Sequence, residues 1–309
     1  MREKTLLIPC DAAELSATLT LPDVCRGAVV LLHPADDPSR DQFLFQHLAG
    51  VMPERGIAVA RYDRRAGVGD RDVPYQVQVE DLKAVLVVLA GEVGAVPTGL
   101  WGFSQGAWVS LLAAAQEPTL AFLVLVGCSA VSPARQMRYG VAEQLTRAGF
   151  GPRALTELRK LRDTWEAYQR GDLSRDTAQA VVDNFAGRRW MNLSWVPATL
   201  PDEPGGWDDM DFDPAAAISR ICCPVLAFYG DDEWVPVRES ISVWRKRFTD
   251  ASRLTIRTLD GTDHHPTLDG GRSIAAISPE YTATITSWLD YVLANATETR
   301  PADPDARPQ

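Results

Sequence analysis

Five residues, Gly102-Phe103-Ser104-Gln105-Gly106, join the apolar run Thr98 to Phe103 to an alanine-rich stretch of helical character, Gln105 to Ala115. A strand must turn into a helix at Ser104, and a Cβ two residues to either side would collide with neighbouring backbone, so glycine is needed at 102 and 106. A strand that feeds straight into a helix is the building unit of a parallel sheet with crossover connections.

The rest of the chain repeats that unit. Gly27 to His33 is a continuous apolar run, as a strand buried on both faces requires. Helical spacing in Phe45, Leu48 and Met52 precedes a strand at Ile57 to Tyr62, and a helix from Gln76 to Ala90 precedes the strand at Thr98. A strand at Ala121 to Gly127 follows. Strand and helix resume at Cys223 to Tyr229, Val237 to Phe248, Ser252 to Leu259 and Pro279 to Leu293, where Tyr281, Ile285, Trp288, Leu289 and Val292 form one apolar stripe. Lys4 to Pro9 and Glu14 to Pro22 read as an antiparallel pair ahead of the sheet. From Val131 to Asp213 the alternation stops, and polar, helically spaced sequence carries Trp165, Trp190, Trp195 and Trp207. The expected organisation is an α/β core formed by residues 1–130 and 214–295, a helical insertion at 131–213, and a disordered tail at 296–309, which has nothing to bury.

Composition narrows the partners. Asp and Glu (41) exceed Lys and Arg (31), for a formal charge of -10, which repels phosphate backbones and anionic lipid. Nucleic acid and membrane are therefore not expected as partners, and a small molecule is. The N-terminus lacks the apolar run of a signal peptide and no later stretch is long enough for a membrane span, so a cytoplasmic location is expected. Cys10, Cys25, Cys128, Cys222 and Cys223 are odd in number and lack metal-site spacing, and they read as small buried apolar residues. No cofactor and no metal is expected.

A serine hydroxyl attacks only when a base accepts its proton, and the base needs a partner that fixes its tautomer. Both can be supplied late in the chain. Gly230-Asp231-Asp232-Glu233-Trp234-Val235-Pro236 follows a buried strand, so its acids stand at the strand's carboxyl end, where α/β sheets build their sites. Gly261-Thr262-Asp263-His264-His265 follows the next strand. His264 and His265 are neighbours and diverge in direction, and no further ligand motif accompanies them, which argues against a metal pair. His33 ends a strand near the serine, and His47 lies in a helical stretch.

These segments together resemble the α/β-hydrolase superfamily over nearly the whole chain outside the insertion and tail, and in particular its bacterial esterase and acyl-peptidase-like branch. The matching segments are His33-Pro34 with Arg40-Asp41, Arg61-Tyr62-Asp63-Arg64-Arg65, the Ser104 turn, and Pro224-Val225-Leu226 with Gly230, Asp232, Val235 and Pro236. The resemblance implies an α/β-hydrolase fold with a mostly parallel sheet, Ser104 as nucleophile and His264 as base. Aligned on Val235-Pro236, it puts the acid on Asp232, with Asp231 as the fallback; counted forward from Gly230 it would fall on Glu233. The oxyanion donors implied are the backbone amides of Gln105 and Ala35, because Pro34 replaces the family's glycine and has no N–H. The insertion becomes a lid, with His33, Trp190, Trp195 and Trp234 as candidate pocket residues. Trp101 and Trp108 read as core. The activity implied is cleavage of a small or medium carboxylic ester through an acyl-enzyme. Peptidase, amidase or acyltransferase chemistry on the same triad is the alternative, and a non-catalytic binding protein on this scaffold is an alternative of another class.

Overall fold

The computed structural model describes residues 1–11, 13–67 and 72–298, apart from the side chains of residues 232, 297 and 298. Eight strands form one sheet in the order β1-β2-β4-β3-β5-β6-β7-β8. β1 (Arg2–Cys10) and β2 (Ala13–Leu21) are antiparallel, and β2 runs antiparallel to β4 (Ile57–Tyr62). From β4 the sheet is parallel through β3 (Gly27–Leu32), β5 (Thr98–Phe103), β6 (Leu123–Val126), β7 (Val225–Asp232) and β8 (Leu254–Asp263). All residues of β3, β4 and β6 are buried, which is why these runs lack the alternation of a one-faced strand.

Helices cover both faces. On one, α1 (Phe43–Val51) and α9 (Pro279–Glu298) pack Phe45, Leu48, Tyr281, Ile285 and Leu289 against Val29, Trp101, Val124 and Phe228. On the other, α2 (Tyr75–Val93), α3 (Gln105–Gln116) and α8 (Val237–Arg247) pack Val79, Leu82, Val109 and Trp244 against Val30, Leu100 and Leu125. Trp101 and Trp108 are core residues whose indole N–H groups reach the Tyr281 hydroxyl at 2.8 Å and the Ser129 carbonyl at 2.6 Å. α9 extends to Glu298, so residues 296–298 are helix and not tail; the remainder of the expected tail lies outside the described residues.

Between β6 and β7, α4 (Pro133–Arg147), α5 (Pro152–Gln169) and α6 (Arg175–Phe185) form an insertion with its own apolar core around Val141, Leu158, Leu161 and Val182. α7 (Pro214–Ile218) returns the chain to the sheet. Cys10, Cys128 and Cys223 are buried, whereas Cys25 is half-buried and Cys222 exposed, so burial does not extend to all five; each is a free thiol. Among the described residues no helix is long and apolar enough to cross a membrane.

The segment leading to α7 is fastened to the core by Asp209, whose carboxylate accepts the Tyr75 amide at 2.7 Å and so serves the first turn of α2. Burial raises the Asp209 carboxyl to about 6, Asp208 and Asp72 add repulsion, and the Tyr75 bond works against both. Between pH 4 and 6, on these values, the folded chain keeps a proton that the unfolded chain has released, so this residue's contribution falls as pH rises through that window. Asp209→Asn keeps the acceptor and removes the charge. We expect it to stabilise the protein above pH 6 by on the order of 1 kcal/mol, discounted for the solvent reaching this half-buried group, and to give no gain below about pH 4. Denaturant titrations at both pH values read the difference.

Candidate active site

β3 and β5 are neighbours in the sheet, but the chain leaves β3 toward β4 on one side and continues from β5 toward β6 on the other. The loops leaving their carboxyl ends therefore diverge, and a crevice opens where α/β sheets hold ligands. Ser104 stands there, between β5 and α3, with φ 53° and ψ -113°. That is strained backbone for a residue with a side chain, and it lifts the hydroxyl clear of the strand. Its amide donates to Val126 O at 2.9 Å, holding the turn against the end of β6. A Cβ on Gly106 would lie 2.7 Å from His33 O, and one on Gly102 would meet Gly106 O, so the two glycines let helix and strands close to backbone contact.

β7 and β8 deliver the other groups. Their register shifts at the carboxyl end, where Gly230 pairs with Leu259 but Asp232 with Asp263. The extra β8 residues between those pairs form an irregularity that folds the chain back over β7. Asp263 then anchors the loop, accepting from the amides of His265 (3.0 Å) and Thr267 (3.1 Å) and from the Arg272 guanidinium (2.5 Å). Burial would raise the Asp263 carboxyl, but Arg272 and Thr267 overcome that and hold it below the ordinary value. The imidazole of His264 leaves this loop over the end of β6. Its ring centre lies 5.0 Å from that of Phe103, and a Cβ on Gly127 would fall 2.7 Å from its Nδ1. Phe103 precedes Ser104, and Gly127 follows the residue that bonds the Ser104 amide, so serine and imidazole share one corner of the crevice.

The carboxylate that meets His264 is Glu233. Its Oε2 lies 2.6 Å from His264 Nδ1, and its Oε1 accepts the Gly230 amide at 3.0 Å. Glu233 is buried. The expected acid, Asp232, has its side chain outside the described residues, and the carboxylate of the fallback Asp231 accepts the Gly261 amide at 2.7 Å and braces β8. Glu233 lies just past β7, and its longer side chain turns back onto the strand end; alignment on Val235-Pro236 carries no information about that reach. Donation to a carboxylate places the proton on Nδ1, which leaves Nε2 as the nitrogen able to accept one.

The loop after β3 is held by Arg64, which donates to the carbonyls of Pro34 (2.9 Å) and Ala35 (2.8 Å) and also to the Gln105 side chain. Gln105 in turn donates to Asp72. One guanidinium thus ties together the two segments whose amides, Ala35 and Gln105, were expected as oxyanion donors, a role that no local pattern signals beyond Arg64's place after Tyr62-Asp63. His33 does not face the crevice: its ring is buried between Phe45 (4.9 Å) and Tyr62 (5.0 Å), and burial, with help from Arg64, lowers its pKa to about 3. His265 packs on Phe103 at 4.8 Å and is lowered to about 4 by burial and its neighbours His264 and Arg272. His47 is half-buried and reaches Thr282 Oγ1 at 2.9 Å. Trp190 is not a pocket residue either, being buried against Phe185 in the insertion's core. Trp195 is 60% exposed and packs 6.1 Å from Trp234, the residue after Glu233. Among the described residues no group of three His, Cys, Asp or Glu gathers to hold a metal ion.

Residues 29–277 match a family model described as the alpha/beta hydrolase family. No curated protein matches the chain. Among solved structures, proline iminopeptidase from Mycobacterium smegmatis is 17% identical with a TM-score of 0.61, the alignment covering 95% of this chain and 100% of that one. Est1E from Butyrivibrio proteoclasticus is 18% identical with a TM-score of 0.58, covering 94% and 99%. An esterase from an Arctic intertidal metagenomic library is 14% identical with a TM-score of 0.54, covering 94% and 93%. At such identities these likenesses speak to the fold.

Proposed function

The chain belongs to the alpha/beta hydrolase family, and from that premise we propose that it is a serine hydrolase cleaving a small or medium carboxylic ester through an acyl-enzyme on Ser104. The observation that carries this reading is the 2.6 Å contact between His264 Nδ1 and Glu233 Oε2 beside the strained Ser104 turn. A histidine oriented by a buried carboxylate, next to a serine on a strand-to-helix turn, is the arrangement acyl transfer to water needs.

In this mechanism His264 Nε2 takes the Ser104 proton as Oγ attacks the ester carbonyl, and Glu233 stabilises the imidazolium that forms. The carbonyl oxygen, now negative, is received by the amides of Gln105 and Ala35, with the first turn of α3 adding its dipole. His264 returns the proton to the departing alcohol, and water then enters by the same route to release the acid. Arg64 acts as a positioning residue, fixing the distance between the two amide-bearing segments. The insertion serves as a lid, with Trp195 and Trp234 as an apolar wall for the acyl or alcohol group.

Treatment of the folded protein with a fluorophosphonate is expected to give one adduct, on Ser104, that is absent in Ser104→Ala. A folded protein that takes no label would overturn the catalytic reading in favour of a binding role. With p-nitrophenyl esters of rising acyl length set against matching anilides, the esters should turn over faster; faster anilides would assign the site to amide substrates.

A further inference from the structure

The insertion carries a half-open cavity of about 690 Å³ that none of Ser104, His264 or Glu233 lines. Its volume is in the range of small-molecule sites. Trp165, Trp195, Trp207 and Met137 are among its lining residues, and Arg162 stands in the wall.

Arg162 is 2% exposed, and its pairing is poor for so buried a charge. Its Nε has no hydrogen-bond partner among the described residues. Nη1 and Nη2 make long contacts of 3.4 Å, to Trp195 O and Glu166 Oε1. The Glu166 carboxylate is already taken by Arg138, whose Nε lies 3.0 and 2.8 Å from its two oxygens and whose Nη2 also reaches it. Asp163, the other acid of the cluster, bonds the remaining arm of Arg138 at 2.7 Å and is half exposed, where water screens it. Two guanidinium groups thus share one buried carboxylate, and Arg162 receives the smaller part. Burial works against its charge and Glu166 only partly compensates. The Trp207 ring lies 6.0 Å from its Cζ and offers a π face, which holds the group without neutralising it. Glu203 also lines the cavity but is exposed, so its charge is screened.

A guanidinium only partly neutralised, behind aromatic walls, is completed by a carboxylate carried on an apolar body. We propose that this cavity binds an organic anion, an aryl or alkyl carboxylate, with the carboxylate toward Arg162 and the body against Trp165, Trp195 and Trp207. A second observation points to the same place. Trp195, whose carbonyl receives the weak Arg162 bond, has φ 54°, strained for a tryptophan, and its indole packs on Trp234 beside the catalytic carboxylate. The anion is either a free acid acting as effector or the distal end of the ester substrate; only the second rests on the hydrolase reading.

Calorimetric titration of the full-length Ser104→Ala protein with 1-naphthoate and with neutral 1-naphthalenemethanol tests the proposal without turnover. Naphthoate should bind at least about tenfold more tightly, the difference one charge-assisted hydrogen bond makes. Arg162→Met should bring the two affinities together, and Met137→Trp, which fills the cavity while leaving the ion cluster intact, should abolish both should the first variant fail to fold. Absence of binding, equal affinity of acid and alcohol, or naphthoate binding that survives Met137→Trp would overturn it. In the parent protein, naphthoate that raises KM for p-nitrophenyl butyrate at constant kcat assigns the cavity to the substrate's distal end, and a change in kcat without competition assigns it to an effector. A catalytically inert parent would defeat the hydrolase reading and leave the calorimetric result standing.

Discussion

Glu233→Gln is expected to lower kcat for ester hydrolysis by about 10⁴-fold while the protein remains folded. The amide is nearly isosteric, and its oxygen can still accept the Gly230 N–H that Glu233 Oε1 now receives at 3.0 Å. Its NH₂ group then faces His264 Nδ1, where the carboxylate Oε2 lies at 2.6 Å. An NH₂ there makes Nδ1 an acceptor and moves the imidazole proton to Nε2. A protonated Nε2 cannot take a proton from Ser104, so the loss is one of tautomer and not of position, and it should appear in kcat with KM little changed. Asp232→Asn should leave activity within about threefold of the parent, because on this reading Glu233 is the acid that orients His264. Asp231→Asn weakens the brace on Gly261 and should act on stability. Steady-state kinetics of the three variants on one p-nitrophenyl ester decide among the acids, and a large loss at Asp232 with none at Glu233 would return the role to Asp232.

What the residues disclosed, and what they withheld, follows from the range over which each signal acts. The parallel strands were legible because burial on both faces leaves continuous apolar runs such as Ala28 to Leu32, and α9 because Tyr281, Ile285 and Leu289 repeat at helical spacing. The Ser104 turn was legible because its backbone demands glycine at fixed offsets. The carboxylate that meets His264 was not, because that contact depends on the register shift between β7 and β8 and on one extra methylene in Glu233, and neither leaves a local pattern. Arg64 escaped for the same reason: its partners Pro34, Ala35 and Gln105 are 29 to 41 residues away in the chain. Trp190 and Trp195 are five positions apart and equally aromatic, yet one lies in the insertion's core and the other 60% exposed. The fold around them decides which, and hydrophobicity alone does not.

Gly127→Ala should cost about 10²-fold in kcat with only a modest loss of stability, and the two effects have separate causes. Gly127 has φ 59°, the left-handed region, where a Cβ costs ~1–2 kcal/mol. That predicts a fall in Tm of several degrees for a chain of this size. The same Cβ would lie 2.7 Å from His264 Nδ1 and closer still to its Cε1, so the ring must retreat by roughly an ångström to reach ordinary contact, and displacement on that scale costs about 10²-fold in rate. The retreat also strains the hydrogen bond to Glu233, so the variant should lose fluorophosphonate reactivity in parallel with ester turnover. Gly149→Ala separates strain from collision: Gly149 has φ 80°, and an added Cβ there meets nothing within 4 Å. It should therefore lose comparable stability and keep its activity. Equal activity in the two variants would mean that the imidazole does not need its place over the end of β6, and the assignment of His264 as the base would fall with it.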